Sequence, residues 1–217
     1  MPTDECSRAR ELQERALDSR RRRLGEEHPS TLTVMVDLAS TFRKLKELGK
    51  ARELQEKARE LSLRVLGEGH PHTIVLMINL TSTLIDLDEY GEAKALAEEF
   101  LAFSRRTLGP EHPHTLLAQG NLALALKNLG ELDEARKLEE QAFQSLKQVL
   151  GAEHPHTLRA MGLLILMLRD LEEEKKAQVL GAELAVLAAR VELPTDHPAP
   201  IALEAIGLEG LPRPTTR

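Results

Sequence analysis

A nine-residue phrase returns four times along this chain at an unvarying interval of 42 residues. It reads LGEEHPSTL at residues 24–32, LGEGHPHTI at 66–74, LGPEHPHTL at 108–116 and LGAEHPHTL at 150–158. A degenerate fifth copy, Thr195-Asp196-His197-Pro198, arrives one residue late and has lost the Leu-Gly pair. Self-similarity at such a period constrains the fold severely, because one unit cannot bury its apolar face alone and must stack on its neighbours. The punctuation inside each period is helical. Gly25, Gly67, Gly109 and Gly151 are placed to end one helix in the left-handed conformation. Pro29, Pro71, Pro113 and Pro155 suit the first position of the next, where a missing N–H costs nothing. A second break falls near Lys46, Asp88, Gly130 and Glu172, after about 16 residues, and a helix of about 17 residues follows. Each period therefore reads as an antiparallel helix pair.

The apolar pattern says how the pairs interlock. In the first helix Leu38, Leu80, Leu122 and Leu164 are followed four residues on by Phe42, Leu84, Leu126 and Leu168, an i, i+4 stripe facing the partner. The second helix carries Ala51, Ala93, Ala135 and Ala177 near its start and Ala58, Phe100, Ala142 and Leu184 seven residues later. Small residues there let two backbones approach closely. Composition agrees: in 217 residues, 41% of them apolar, there are four Phe, one Tyr and no Trp. The core must be filled by Leu, Ala, Val, Ile and Met, which suit helices better than strands.

Whole classes of protein drop out. The lone Cys6 rules out a disulfide scaffold and points to a reducing, cytoplasmic setting. The charged opening residues argue against a signal peptide. The longest apolar runs, at 73–80 and 162–168, fall far short of the roughly 20 residues a membrane span needs. A net charge of −6 with both signs interspersed gives no drive toward nucleic acid. The one basic block, residues 20–23, suits a solvated helix end with cations against the carbonyl terminus, an anionic partner or localisation signal being the alternative.

The order of Leu122, Ala123, Leu126, Gly130, Ala135 and Ala142 resembles the tetratricopeptide repeat, whose usual period is 34. The 42-residue form, with Leu-Gly-x-Glu-His-Pro-x-Thr-Leu and Asn-Leu-Ala, is similar to the repeats of kinesin light chains, of nephrocystin-type proteins and of C-terminal arrays in signalling NTPases. The resemblance covers about residues 5–198 and implies an all-α, right-handed superhelical solenoid. Its extra length per period implies longer helices rather than a new element. Ala9, Leu12 and Ala16 repeat the register of Ala51, Leu54 and Ala58, so residues 1–23 read as a half repeat comprising a second helix only. Complete repeats are expected at 24–65, 66–107, 108–149 and 150–192, followed by a degenerate capping helix and tail at 193–217.

Chemistry is harder to find. Seven of the eight histidines lie in the repeated phrase: His28, His70, His112 and His154, with His72, His114 and His156 two residues on. A metal ladder would need three or four of them to converge at about 2 Å on one ion. Equivalent positions in stacked helices lie roughly 10 Å apart. They read instead as turn and helix-entry residues. Gly49-Lys50 lacks the rest of a phosphate-binding loop, Cys6 has no His near it, and acid–base pairs such as Glu131 and Arg136 have the spacing of a solvated helix face. No catalysis, cofactor or metal is expected.

What the resemblance does imply is a ligand groove. In tetratricopeptide arrays the first helix of every pair lines a concave face. The matching positions here are Asp37, Ser40, Arg43 and Lys44, then Asn79, Ser82, Ile85 and Asp86, then Asn121, Leu124, Lys127 and Asn128, and finally Leu163, Leu166, Arg169 and Asp170. Asn79 and Asn121 match asparagines that hold the backbone of an extended peptide in kinesin-light-chain-like grooves, an amide supplying both donor and acceptor. The pattern departs at Asp37 and Leu163. Arg43, Lys44 and Lys127 would take acidic side chains of a ligand, and Leu124, Leu163 and Leu166 would seat an apolar one. The helix around 158–168 is apolar nearly all round and needs cover. The tail residues Ile201, Leu203, Ile206, Leu208 and Leu211 are the first choice to provide it, ahead of a bound peptide or a second copy. The expected function is a protein–protein interaction module for a protein or peptide ligand, with no nucleic acid and no membrane. The alternative is a sensor or assembly segment of a multidomain signalling NTPase, forming homo-oligomers through its terminal helices.

Overall fold

The computed structural model describes residues 2–191 together with Ala199 and Ala202. All regular structure among the described residues is helical, with no strand. The chain divides into two compact units, Met1–Phe100 and Leu101–Arg217. The first holds α1 (Pro2–Leu24), α2 (Pro29–Lys44), α3 (Leu48–Val65), α4 (Pro71–Asp86) and the start of α5 (Tyr90–Thr107). Here α1 packs on α2, α2 on α3 and α3 on α4, and α2 also touches α4. The second holds α6 (Pro113–Asn128), α7 (Leu132–Leu150), α8 (Pro155–Asp170) and α9 (Glu174–Ala188). Its contacts repeat the scheme, α6 on α7, α7 on α8, α8 on α9, and α6 on α8.

Each helix entry is built by the repeated His-Pro. Pro sits at the first helical position of α2, α4, α6 and α8, and the preceding His is the N-cap. Its Nδ1 accepts the backbone N–H two residues on: Ser30 to His28 at 3.1 Å, His72 to His70 at 3.2 Å, His114 to His112 at 3.2 Å and His156 to His154 at 3.1 Å. One of the orphan donors of each helix start is thereby satisfied. Thr31 and Thr73 tie the entry back to the preceding turn by donating to the carbonyls of Gly25 and Gly67 at 2.8 and 2.9 Å.

The second break is a Schellman turn. After α2, Lys46 N–H bonds the Arg43 carbonyl at 3.0 Å and Glu47 N–H bonds the Phe42 carbonyl at 2.9 Å. The corresponding long bonds recur from Glu89 to Leu84, Glu131 to Leu126 and Glu173 to Leu168. The residue in the middle must turn left-handed. Gly130 does so at φ 85°, whereas Lys46, Asp88 and Glu172 are held at φ 60°, 61° and 59° despite their side chains.

The expected interlock is present. The stripe Leu38/Phe42, Leu80/Leu84, Leu122/Leu126 and Leu164/Leu168 is buried throughout, as are Ala51, Ala93, Ala135 and Ala177. In the first unit Leu17, Leu32, Met35, Leu38, Phe42, Leu61 and Leu76 share one apolar cluster. In the second, Leu158, Met161, Leu164, Ile165 and Leu184 form another, joined by Ala199 and Ala202. Burying one such side chain is worth about 1.5–3 kcal/mol. The apolar circumference of α8 is accordingly used up, since Leu158, Leu163, Leu164, Ile165 and Leu168 are all buried and Leu166 half-buried. Ala199 and Ala202 are helical; the tail residues proposed as its cover, Ile201, Leu203, Ile206, Leu208 and Leu211, lie outside the described residues.

Candidate functional site

In the first unit the groove positions fall on α2 and α4, which touch each other. Asp37, Lys44 and Asp86 are exposed, Ser40, Arg43, Asn79 and Ser82 half-buried, and Ile85 buried. Arg43 Nε donates to Asp86 Oδ2 at 2.6 Å, so the cation expected to meet an acidic ligand is engaged by the acid of the next first helix. The Ser40 and Ser82 hydroxyls donate to the carbonyls of Val36 and Ile78 one turn earlier, at 2.9 and 3.0 Å. The Asn79 side-chain amide makes no hydrogen bond among the described residues.

In the second unit the positions fall on α6 and α8, and three expectations change. Asn121 is 2% exposed, and its Oδ1 accepts from Arg159 Nη2 at 3.0 Å, so it does not present an open amide. Leu163 is buried, with 5% of its surface exposed, and offers little to seat a ligand. Lys127 repeats the arrangement of Arg43, its Nζ lying 2.7 Å from Asp170 Oδ2. Leu124 and Leu166 are half-buried, Asn128 is exposed with Nδ2 donating to the Leu124 carbonyl at 2.8 Å, and Arg169 is exposed. Lys44 and Arg169 are the groove cations without an ion pair among the described residues.

Behind Asn121 lies a polar cluster that the sequence reading missed. Glu139 of α7 is fully buried, and neither carboxylate oxygen has a hydrogen-bond partner. Burial pushes its carboxyl up to about 7, the nearby Arg159 guanidinium opposing the shift. Gln119 is also buried, accepting from Arg105 Nη2 at 3.0 Å and donating to the Leu138 carbonyl at 2.9 Å. The available signal was register: one period away from Glu139 stand Ala97 and Gly181, small residues of a tight helix interface. The run Glu139-Glu140 disguised it as a solvated face. Two periods before Glu139 the same register position is Gln55, also buried with both amide atoms unpartnered.

Second helices are joined by a ladder of ion pairs. Arg10 reaches Glu47 at 2.9 Å; Arg52 reaches Glu89 and also Glu92 at 2.9 Å, and within its own helix it pairs with Glu56 at 2.7 Å. The histidines are occupied by helix entry, their rings pairing at 5.3 Å for His70 and His72 and at 5.2 Å for His112 and His114 and for His154 and His156. Burial, then the neighbouring His112, holds the His114 imidazole below its ordinary range. Among the described residues no three His, Cys, Asp or Glu side chains are grouped to hold a metal, and no helix is long and apolar enough to cross a membrane.

Two family models, each of the tetratricopeptide repeat, match this arrangement, one over residues 4–61 and 38–106 and the other over 115–156. The chain belongs to the tetratricopeptide repeat family. Its structure is similar to that of a Podosopora anserina protein assigned as a kinesin light chain with nearly identical TPR-like repeats. That similarity is at 27% identity and a TM-score of 0.71, over 86% of this chain and 88% of that one. BtubC (BKLC) from P. vanneervenii shares the fold at 16% identity and a TM-score of 0.71, over 94% and 85% of the two chains. A Rap protein complexed with competence and sporulation factor shares it at 14% identity and 0.72, over 87% of this chain and 50% of that one. No curated protein matches the chain. Tetratricopeptide repeats are protein-interaction modules, and this one is of the kinesin-light-chain-like type.

Proposed function

We propose that this tetratricopeptide array binds an extended peptide segment of a partner protein on its first helices, and performs no chemistry of its own. The observation that carries the reading is the Asn79 amide, half-buried on α4 and uncommitted to any hydrogen bond among the described residues. Such a group offers a donor and an acceptor to a passing peptide bond. An acidic ligand side chain falls to Lys44 in the first unit or to Arg169 in the second, because Arg43 and Lys127 are engaged by Asp86 and Asp170. The half-buried Leu124 and Leu166 contact an apolar side chain in the second unit.

Panning a phage-displayed library of random decapeptides on the full chain tests the reading. Enriched peptides should bind Asn79→Ala roughly five- to thirtyfold more weakly in fluorescence anisotropy, as expected for one or two hydrogen bonds of about 1 kcal/mol each. Lys44→Ala should select against acidic peptides. No enrichment over an unrelated helical protein, or affinities indifferent to Asn79→Ala, overturns it.

A further inference from the structure

Helix α9 carries two large apolar side chains in solvent, Val179 at 75% and Val186 at 55% exposure. With the exposed Ala182 they fall at intervals of three and four residues, which puts them on one side of the helix. Every earlier second helix is charged at this place. The middle position is Glu14 in α1, Glu56 in α3, Glu98 in α5 and Glu140 in α7, all exposed, and it is Ala182 in α9. The outer two are Glu53 and Glu60 in α3 and Lys137 and Gln144 in α7. Contact with water explains those residues but not the α9 set. The apolar ridge of α9 also continues inward, into a groove of about 460 Å³ whose lining includes Leu164, Leu168, Val179 and Leu180.

Such a ridge suits a helix that presents small apolar side chains, and α9 itself is one. Its pattern is self-complementary when two copies run antiparallel about a two-fold axis between residues 180 and 181. Val179 then meets the partner's Ala182, and Val186 lies along the aliphatic stem of the partner's Lys175. Beside this seam Lys176 faces the partner's Glu183, twice by symmetry. Within the chain Lys176 pairs with Glu173 and Glu183 with Lys147, all of them partly solvated. An ammonium has donors and a carboxylate has acceptors enough to serve both neighbours. A parallel arrangement would instead set Lys175 against Lys175. We propose that α9 is a self-association surface, on which two copies of this chain pair through antiparallel α9 helices.

A single helix seam covers about half of the roughly 800 Å² per partner of a standard interface, so the dissociation constant is on the order of 100 µM. Sedimentation equilibrium of the full chain from about 10 µM to about 1 mM should therefore show monomer giving way to dimer. Val179→Glu and Val186→Glu restore the residue found in α3 at these exposed positions, and each should weaken the dimer at least about tenfold. Lys176→Glu and Glu183→Lys should each weaken it about three- to tenfold, and the double reversal should recover the wild-type constant within about threefold. A chain still monomeric at about 1 mM overturns the proposal and leaves the ridge to a different protein. Val179 and Val186 methyl resonances that do not move on dilution overturn it too, and assign the cover to the chain's own C-terminal residues. So does a dimer indifferent to Val179→Glu, or one that the double reversal does not rescue. The wild-type dilution series decides the matter even if a variant does not fold. The surface lies on a second helix, so peptide binding through Asn79 stands or falls separately.

Discussion

Replacing Glu139 by Gln keeps the shape of the side chain and removes its charge, which isolates the cost of burying a carboxylate. The side chain is fully buried and its carboxyl is displaced from an ordinary 4.5 to about 7. Each tenfold preference for the protonated form is worth about 1.4 kcal/mol, so the displacement amounts to about 3 kcal/mol. The sign follows from which state holds the proton more tightly. The folded chain does, so wild type is favoured at acid pH and loses stability relative to the variant as pH rises from 4.5 to about 7, with a plateau above. Urea denaturation of both proteins at several pH values should give a wild-type minus variant difference that is constant below 4.5 and more negative by about 3 kcal/mol at pH 8. Against a typical domain stability of about 5–15 kcal/mol that is a large signal. Subtracting the variant cancels groups common to both, such as Glu26 and Glu47, whose carboxyls are held low by Lys57 and Lys50 and so weaken the fold on acidification. A difference independent of pH, or one that becomes more negative toward acid, refutes the claim that Glu139 is buried without adequate compensation.

Three further outcomes follow from the turns and the ladder. Lys46→Gly and Glu172→Gly should each raise stability by up to about 1 kcal/mol in thermal melts, because both residues are held at left-handed φ near 60°; Gly130→Ala should lose a comparable amount. His70→Ala should cost about 1 kcal/mol by removing the N-cap acceptor of α4, and His70→Asn should restore most of it in the same urea assay. Arg52→Met should cost at most about 1 kcal/mol at low salt, and the loss should fade toward 1 M sodium chloride, since its carboxylate partners are partly solvated.

Much of the fold was legible because a helix pair is specified locally and here it is specified four times over. Gly and Pro have few backbone options, so Leu-Gly and His-Pro mark helix ends without knowledge of the neighbours. The stripe of Leu38 and Phe42 and its copies needs only the 3.6-residue period to be read. Even the left-handed turn at Lys46, Asp88 and Glu172 was locatable, through the glycine at the equivalent position 130. The candidate site was less legible. Arg43 and Asp86, like Lys127 and Asp170, lie 43 residues apart, and nothing local announces that they meet. The cap role of histidine was hidden for another reason, since imidazole lies outside the usual set of capping side chains.

Sequence alone thus determined the element boundaries, the all-helical class and the family, because these depend on short-range backbone preferences and on a period that repetition makes unmistakable. Tertiary structure decided which polar groups are available. Asn79 and Asn121 occupy the same place in two successive periods, yet the first is uncommitted and the second is buried beneath Arg159. Glu139 and Glu140 are neighbours in a charged run, yet one faces solvent and the other has no exposed surface. Solvation and hydrogen-bond partnership depend on which helix is packed opposite, and that is settled only when α6, α7 and α8 come together.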